Sequence, residues 1–395
     1  MADVQVLIDR GAGLEDLSDY ATSISVTRGR TDDTEPFQTG RATINLRNLD
    51  GEFDPAGDEL RLRDPVALYV GGGLYGSWSD QQGSWDELDP SITWLGPKVF
   101  TGFVEDVTLG YTLDGDAEVQ VSCVDGFALL ANQQIVDEAV SVEDSGARIT
   151  AVLGNAGVDW NGNTAIATGI SELAAGTATG NALQYMRQVE ESEQGYLFVD
   201  RDGTLTFLNR HTTLNNPIAG TQFSDDGSGI PYDGVERFSG ARSLFNKVTG
   251  ALEDGTTRTA NNTTSQAQFS IRTLDLGEVL LNSPEVLGDF VDYLLNQFDE
   301  PATRVDRLSV NLERLSSSDR NLIAQFELAD ICDVEFSPPG RSQFTNELLV
   351  QGVQHQVTVG GAWRTTLSFQ RRDTRAFLIL DEDPQGRLDE NVLAF

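Results

Sequence analysis

The sequence predicts a mainly β chain with α/β insertions: two similar tube-type β-barrels around a mixed α/β middle region. Short alternating apolar runs fill the first 130 residues, a helix-and-hairpin texture replaces them from Val142, and the opening β pattern returns near the end as an internal repeat. Residues 42–70 and 308–336 align without a gap, with Asn45/Asn311, Leu46/Leu312, Leu49/Leu315, Leu62/Leu328 and Asp64/Asp330 identical. Leu60, Leu62, Val66, Leu68 and Val70 are matched by Phe326, Leu328, Cys332, Val334 and Phe336, the period-2 signature of a half-buried strand. After a shift of 16 residues, Gly102, Val107, Thr108 and Gly110 fall on Gly352, Val357, Thr358 and Gly360. Identity is low, so the inference rests on joint register.

In chain order, residues 1–130 read as the first barrel. Strands are expected at 3–8, 21–28, 40–46, 60–70, 99–108 and 118–124, with Gly, Asp and Pro at the turns. Residues 71–97 interrupt them with three consecutive glycines and the rings of Tyr75, Trp78, Trp85 and Trp94, next to Tyr69. Flexible backbone with aromatic side chains reads as a contact surface, or as a loop folded back on its own barrel. The second copy reaches its next strand without this segment.

Residues 131–225 read as a mixed α/β insertion domain. A short helix is expected at 145–153 and a better one at 181–191, with Leu183, Met186 and Val189 on one face. Tyr196 and Phe198, then Leu205 and Phe207, flank the turn Asp200-Arg201-Asp202-Gly203, where Asp and Gly accept positive φ. The same Asp-x-Asp-Gly opens calcium loops, but the twelfth position holds no Glu and the flanks are strands. Residues 226–305 read as a connecting region: 222–240 as a Gly-, Ser- and Asp-rich link, and 252–265 as an exposed loop. A strong helix follows, capped by Ser283, with Pro284 in its first turn and Pro301 beyond its end. Its stripe of Val286, Leu287, Phe290, Val291, Leu294, Leu295 and Phe298 is wide enough to pack on a sheet. Residues 306–380 form the second barrel and 381–395 an acidic tail.

At 395 residues the chain has room for two to four domains, and 39% hydrophobic content fills ordinary cores. Acids stand in the first nine residues where a signal peptide needs bases, and no run approaches the roughly 18 apolar residues of a membrane span. A soluble chain without an export signal is expected. Cys123 and Cys332 fall in strand-like stretches and read as buried thiols. The net charge of −35 argues against a nucleic-acid or anionic-membrane binder, although walls that repel phosphate suit a conduit through which DNA slides. Two lysines against 25 arginines fit a GC-rich genome or adaptation to high salt.

Little in the sequence points to catalysis. His211 and His355 are far apart, and His355, aligned with Glu105, reads as facing water. There is no His-Glu-x-x-His, no Cys-x-x-Cys, no phosphate-binding Gly-x-x-x-x-Gly-Lys-Ser/Thr loop and no Gly-x-Ser-x-Gly elbow. A glycosidase-type carboxylate pair is defined by spacing in three dimensions, and the 62 acids give no cue to one. No catalytic, cofactor-binding or metal residue is assigned, and no cofactor is expected.

The stretches Ser25-Val26-Thr27-Arg28-Gly29-Arg30, Phe37-Gln38-Thr39-Gly40-Arg41-Ala42-Thr43 and Asn48-Leu49-Asp50-Gly51-Glu52-Phe53-Asp54-Pro55 resemble the start of tail-tip minor tail proteins of long-tailed phages. Asn181-Ala182-Leu183-Gln184, Gly195-Tyr196-Leu197-Phe198-Val199-Asp200-Arg201-Asp202-Gly203-Thr204-Leu205, Arg272-Thr273-Leu274, Pro338-Pro339-Gly340 and Gly361-Ala362-Trp363-Arg364-Thr365-Thr366-Leu367 are similar to the same family in the same order. That baseplate hub, or tail hub, family implies a structural virion protein. It implies a homotrimer whose six barrels match the hexameric tail tube around a channel that DNA crosses, without specific binding, on genome ejection. It also implies as partners a distal tail protein or tail tube ring, a tape measure protein, and tip fibre or receptor-binding proteins. The location implied is the virion tail tip, with assembly in the host cytoplasm. The family brings no catalytic residues; loop 71–97 and the acidity depart from its pattern. Two alternatives stand beside it: a host-surface tail adhesin using Tyr75, Trp78, Trp85 and Trp94 to bind carbohydrate or protein, and a hub-linked wall hydrolase.

Overall fold

The computed structural model describes residues 3–11, 13–31, 35–49, 51–53, 60–71, 96–111, 117–215, 221–241, 243–301, 303–371, 377–378 and 392–393. Tyr75, Trp78, Trp85 and Trp94, and most of the acidic tail, lie outside the described residues.

The first unit contains β1 (Asp3–Asp9), β2 (Leu14–Asp16), β3 (Ala21–Gly29), β4 (Gln38–Arg47), β5 (Pro65–Gly71), β6 (Lys98–Tyr111) and β7 (Ala117–Val124). They run antiparallel in the order β3-β4-β7-β6-β5-β1-β2. Alternation buries Ile24, Val26, Ile44, Leu46, Val119, Val121 and Cys123. The strand expected at 60–70 begins only at Pro65. Before it the Asp64 carboxylate accepts from Arg61 N at 2.8 Å and Arg63 takes φ 73°, which makes a tight turn.

The middle region contains α1 (Phe127–Leu130), β8 (Gln134–Val140), β9 (Glu143–Asp144), α2 (Ser145–Leu153), β10 (Thr164–Ile166), β11 (Glu172–Leu173), β12 (Gly176–Asn181), α3 (Ala182–Glu193), β13 (Tyr196–Val199), β14 (Leu205–Leu208) and α4 (Arg210–Asn215). Both expected helices form, each with a side-chain acceptor at its N-terminus. Asp144 accepts from Ala147 N and Asn181 from Gln184 N, both at 3.0 Å. The β13–β14 turn is set by Asp200, whose carboxylate accepts from Asp202 N (2.9 Å) and Thr204 N (2.8 Å), with Gly203 at φ 84°.

The last region contains β15 (Thr221–Phe223), β16 (Gly234–Ser239), β17 (Lys247–Leu252), β18 (Thr257–Asn261), α5 (Thr263–Phe269), β19 (Thr273–Val279), α6 (Pro284–Phe298), β20 (Thr303–Asn311), α7 (Ser317–Ala324), β21 (Ile331–Phe336), β22 (Phe344–Thr358) and β23 (Trp363–Arg371). Two expectations are corrected here. The stretch 222–240 carries β16 and most of β15, and 252–265 carries β18 and the start of α5. Their Gly, Ser, Thr and Asn content reads as loop, yet strand partners hold them: β16 pairs with β20 and β15 with β21, both distant in sequence, while β18 closes a local hairpin with β17. Helix α6 forms as expected. Ser283 Oγ accepts from Val286 N at 3.3 Å, and Leu287, Phe290, Val291 and Leu294 are buried on the side facing β17 and β18.

The chain is thus mainly β with α/β insertions, and its two β units are alike. Strands β16-β20-β23-β22-β21 repeat the order of β3-β4-β7-β6-β5. Glu327 N donates to the Asp330 carboxylate at 2.8 Å and Ala329 takes φ 72°, repeating the turn at Asp64 and Arg63. Arg63 N donates to Val104 O, and Ala329 N to Val350 O, both at 2.8 Å. Leu62 therefore occupies the place of Leu328, as expected. Farther on, the ladder departs from the alignment of the sequence. Glu105 and Gln351 are the bulged residues of β6 and β22, which puts Val107 at the place of Val353 and not Val357. The glycines at 102 and 352, matched in sequence, are not equivalent in the ladder.

Phe290→Ala, which empties the α6 contact with β17 and β18, is expected to lower stability by about 3–5 kcal/mol. Urea unfolding measures it, and a loss below ~1 kcal/mol would show that α6 packs loosely.

Candidate assembly interface

The described features converge on the seam between the two β units. One edge of β22 is shared: residues 344–349 line β21, and residues 352–358 line β3 of the first unit. Seven antiparallel pairs, from Gly352↔Gly29 to Thr358↔Ser23, make the two units one 13-stranded sheet. The switch of partner falls at the Gln351 bulge. Its carbonyl accepts from Arg30 N at 2.8 Å, its side-chain oxygen accepts from Arg30 Nε at 2.6 Å, and its amide donates to Tyr196 Oη at 2.8 Å. Gly29 is required at this crossing. Its φ is 97°, and a Cβ there would lie 2.2 Å from Gln351 O and 2.8 Å from Leu328 Cδ2.

Beneath the seam, Arg28 is buried in an ion pair with Glu327. The other Glu327 oxygen accepts from Arg201 N at 3.0 Å, so the β13–β14 hairpin tip reaches the second unit. The same tip holds the first unit, because Thr101 Oγ1 donates to Arg201 O at 2.8 Å and Lys98 lies 3.3 Å from Asp202. Arg30 stacks over Phe37 and Tyr196, at 4.5 and 5.0 Å from their centroids. Nearby, Asp125 accepts from Gly40 N (2.6 Å) and Phe127 N (2.9 Å), yet burial pushes its carboxyl up to about 7. Burial likewise pushes Glu190 up to about 7, although it accepts from Leu197 N at 3.0 Å.

His355 departs from expectation: it is fully buried on β22, with Nδ1 2.9 Å from Thr365 Oγ1. Strand β3 covers the edge on which it lies, and burial, then the Arg28 charge, lowers its pKa to about 3. Cys123 and Cys332 are buried free thiols, and burial pushes Cys123 up to about 12. Among the described residues, no three His, Cys, Asp or Glu side chains gather as a metal site. The candidate contact residues Tyr75, Trp78, Trp85 and Trp94 fall outside the described residues, so the seam and the aromatic loop are not brought together. Sequence reasoning missed Arg28, Glu327 and Gln351. One available signal was a lone arginine inside the alternating apolar run of β3.

The two units differ in what covers them. Leu328, against Gly29, is 4% exposed, whereas Leu62 in the equivalent turn is 68% exposed. Glu105 is exposed where Gln351 is buried.

No protein-family model and no curated protein sequence matches the chain. Solved structures do. The 43 kDa tail protein of prophage MuSo2 from Shewanella oneidensis is similar with a TM-score of 0.62 at 13% identity, over 95% of this chain and 99% of that one. The tail protein from Neisseria meningitidis MC58 gives 0.61 at 11% identity, over 94% and 97%. Prophage tail protein gp18 from Listeria monocytogenes EGD-e gives 0.52 at 12% identity, over 94% and 95%. At these identities the likeness is one of fold.

The raised carboxyls give a pH prediction. A carboxyl whose folded pKa lies above its unfolded one contributes stability below the unfolded value, near 4, and loses it as pH rises through about 7. Unfolding midpoints are expected to fall between pH 5 and pH 8, and less steeply in the Asp125→Asn/Glu190→Gln double variant. Equal slopes in the two proteins would contradict this.

Proposed function

We propose that this chain is a structural protein of a phage tail, the trimeric hub at the tail tip that joins the six-fold tube to a three-fold tip around the DNA channel. The observation that carries the reading is the duplicated β unit. Three copies of a chain holding two like units present six similar surfaces, while the single insertion of each chain stays three-fold. The fold shared along nearly the full length with three tail proteins, two of them from prophages, supports it. The net charge of −35 fits a channel wall that does not hold phosphate. On this reading the partners are a tail tube ring or distal tail protein above, the tape measure protein, and tip fibre or receptor-binding proteins. Loop 71–97, with Tyr75, Trp78, Trp85 and Trp94, is a contact element for one of them. The role is non-enzymatic.

Electron microscopy of assembled tails is expected to count three copies in one ring, and any other count rejects the hub. Purified protein is expected not to retard double-stranded DNA at about 50 mM salt, where phosphate contacts are strongest. A retarded band would contradict the repelling wall.

A further inference from the structure

We infer that β16 of one copy adds, antiparallel, to the outer edge of β6 in a second copy, in the register that β3 already uses on β22 within the chain. This rests on the trimeric reading above and specifies its interface. The seam inside the chain is a template. The second half of β22 has β23 on one side and β3, the first strand of the other unit, on the other. The corresponding half of β6, residues 106–111, has β7 on one side, and among the described residues no strand on the other. Strand β16, the counterpart of β3, pairs with β20 alone among the described strands. One open edge and one open first strand are what each copy must offer if the internal seam is to recur between copies.

The register follows from the irregularities. The β3–β4 ladder shifts between Thr27 and Gly29, and the β16–β20 ladder between Glu236 and Arg237, which places Arg237 at the position of Arg28 and Phe238 at that of Gly29. Glu105 stands for Gln351. The internal pairs Val353↔Arg28 and His355↔Val26 then become Val107 facing Arg237 and Leu109 facing Val235 of the neighbouring copy; the copied pairing ends at Val107, because Phe238 stands where the crossing at Gly29 admits no Cβ. Two independent observations agree with this placement. Leu62 is 68% exposed, in the turn where Leu328 is covered by β3, so an incoming β16 is what covers it. Exposed Glu105 and Asp106 on β6 also complement exposed Arg237 on β16. The internal ion pair is not copied, since Arg61 stands where Glu327 does, and the carboxylates on β6 take over its role.

The test uses the full chain, and tails assembled with its neighbours if the purified chain is monomeric. Thr108→Cys combined with Glu236→Cys places two exposed positions opposite each other across the inferred seam, and the native cysteines are buried. Mild oxidation is expected to give covalent dimer and trimer bands, absent from either single variant and weak for Thr108→Cys with Arg237→Cys, one residue out of register. Leu62→Asp is expected to weaken association ~10–100-fold while leaving the melting temperature of the monomer unchanged. A trimer that neither cross-links at 108/236 nor responds to Leu62→Asp overturns this interface and leaves the hub standing. A chain that is not trimeric even in assembled tails overturns both.

Discussion

A β-strand has two hydrogen-bonding edges, and the architecture depends on how β22 divides one of them. The strand is 15 residues long and its neighbour β21 only 6, so a stretch of edge is left that no element of its own unit reaches. Strand β3 fills it. Without that sharing there would be two small β units on a string, each with exposed backbone donors and acceptors. With it, a bulge at Gln351 marks the handover and Gly29 is fixed opposite.

Packing at the seam favours one alignment over its competitors. Burying the Arg28 guanidinium is unfavourable by itself, and the Glu327 carboxylate offsets that in one register only. A slip of one residue would turn Arg28 out and the apolar Val26 with it, exposing the core face of the strand. Specificity, more than added stability, is what such a buried pair supplies. Around it the aromatic rings of Phe37, Tyr196 and Phe198 lie close together, with Phe37 5.0 and 5.6 Å from the other two, so the alignment is also held by shape.

Much of the fold was legible because its signals are local. Period-2 runs gave the strands of the first unit, Leu183, Met186 and Val189 on one face gave α3, the Ser283 cap and its wide apolar stripe gave α6, and Asp200 with Gly203 gave the hairpin. The repeat was legible from joint register, and the turn at Asp64 and Asp330 holds it true through Leu62 and Leu328. Part of what failed was non-local. Strand β16 has no pattern of its own and exists because β20 lies beside it. His355 reads as solvent-facing through its match to Glu105, whereas it lies on the same strand face as Val353 and Val357 and is buried with them. The Val107 match slipped because paired glycines draw an alignment by identity, while a ladder is aligned by its bulges. Of the interface, the sequence offered Leu62 and Leu328 as an identical pair; the difference in what covers them belongs to the third dimension.

The hairpin of β13 and β14 bears on mechanics. A domain tethered to a sheet at one place behaves as a pendulum, and a pull on it is absorbed by its hinge. Here the tip of the insertion grips Thr101 and Lys98 on one side of the seam and Glu327 on the other. A torque on the insertion therefore loads both halves of the sheet in opposite directions and bears directly on the Arg28 pair between them. The middle of the chain is a lever resting on the joint, so whatever docks there has a mechanical hold on the seam itself.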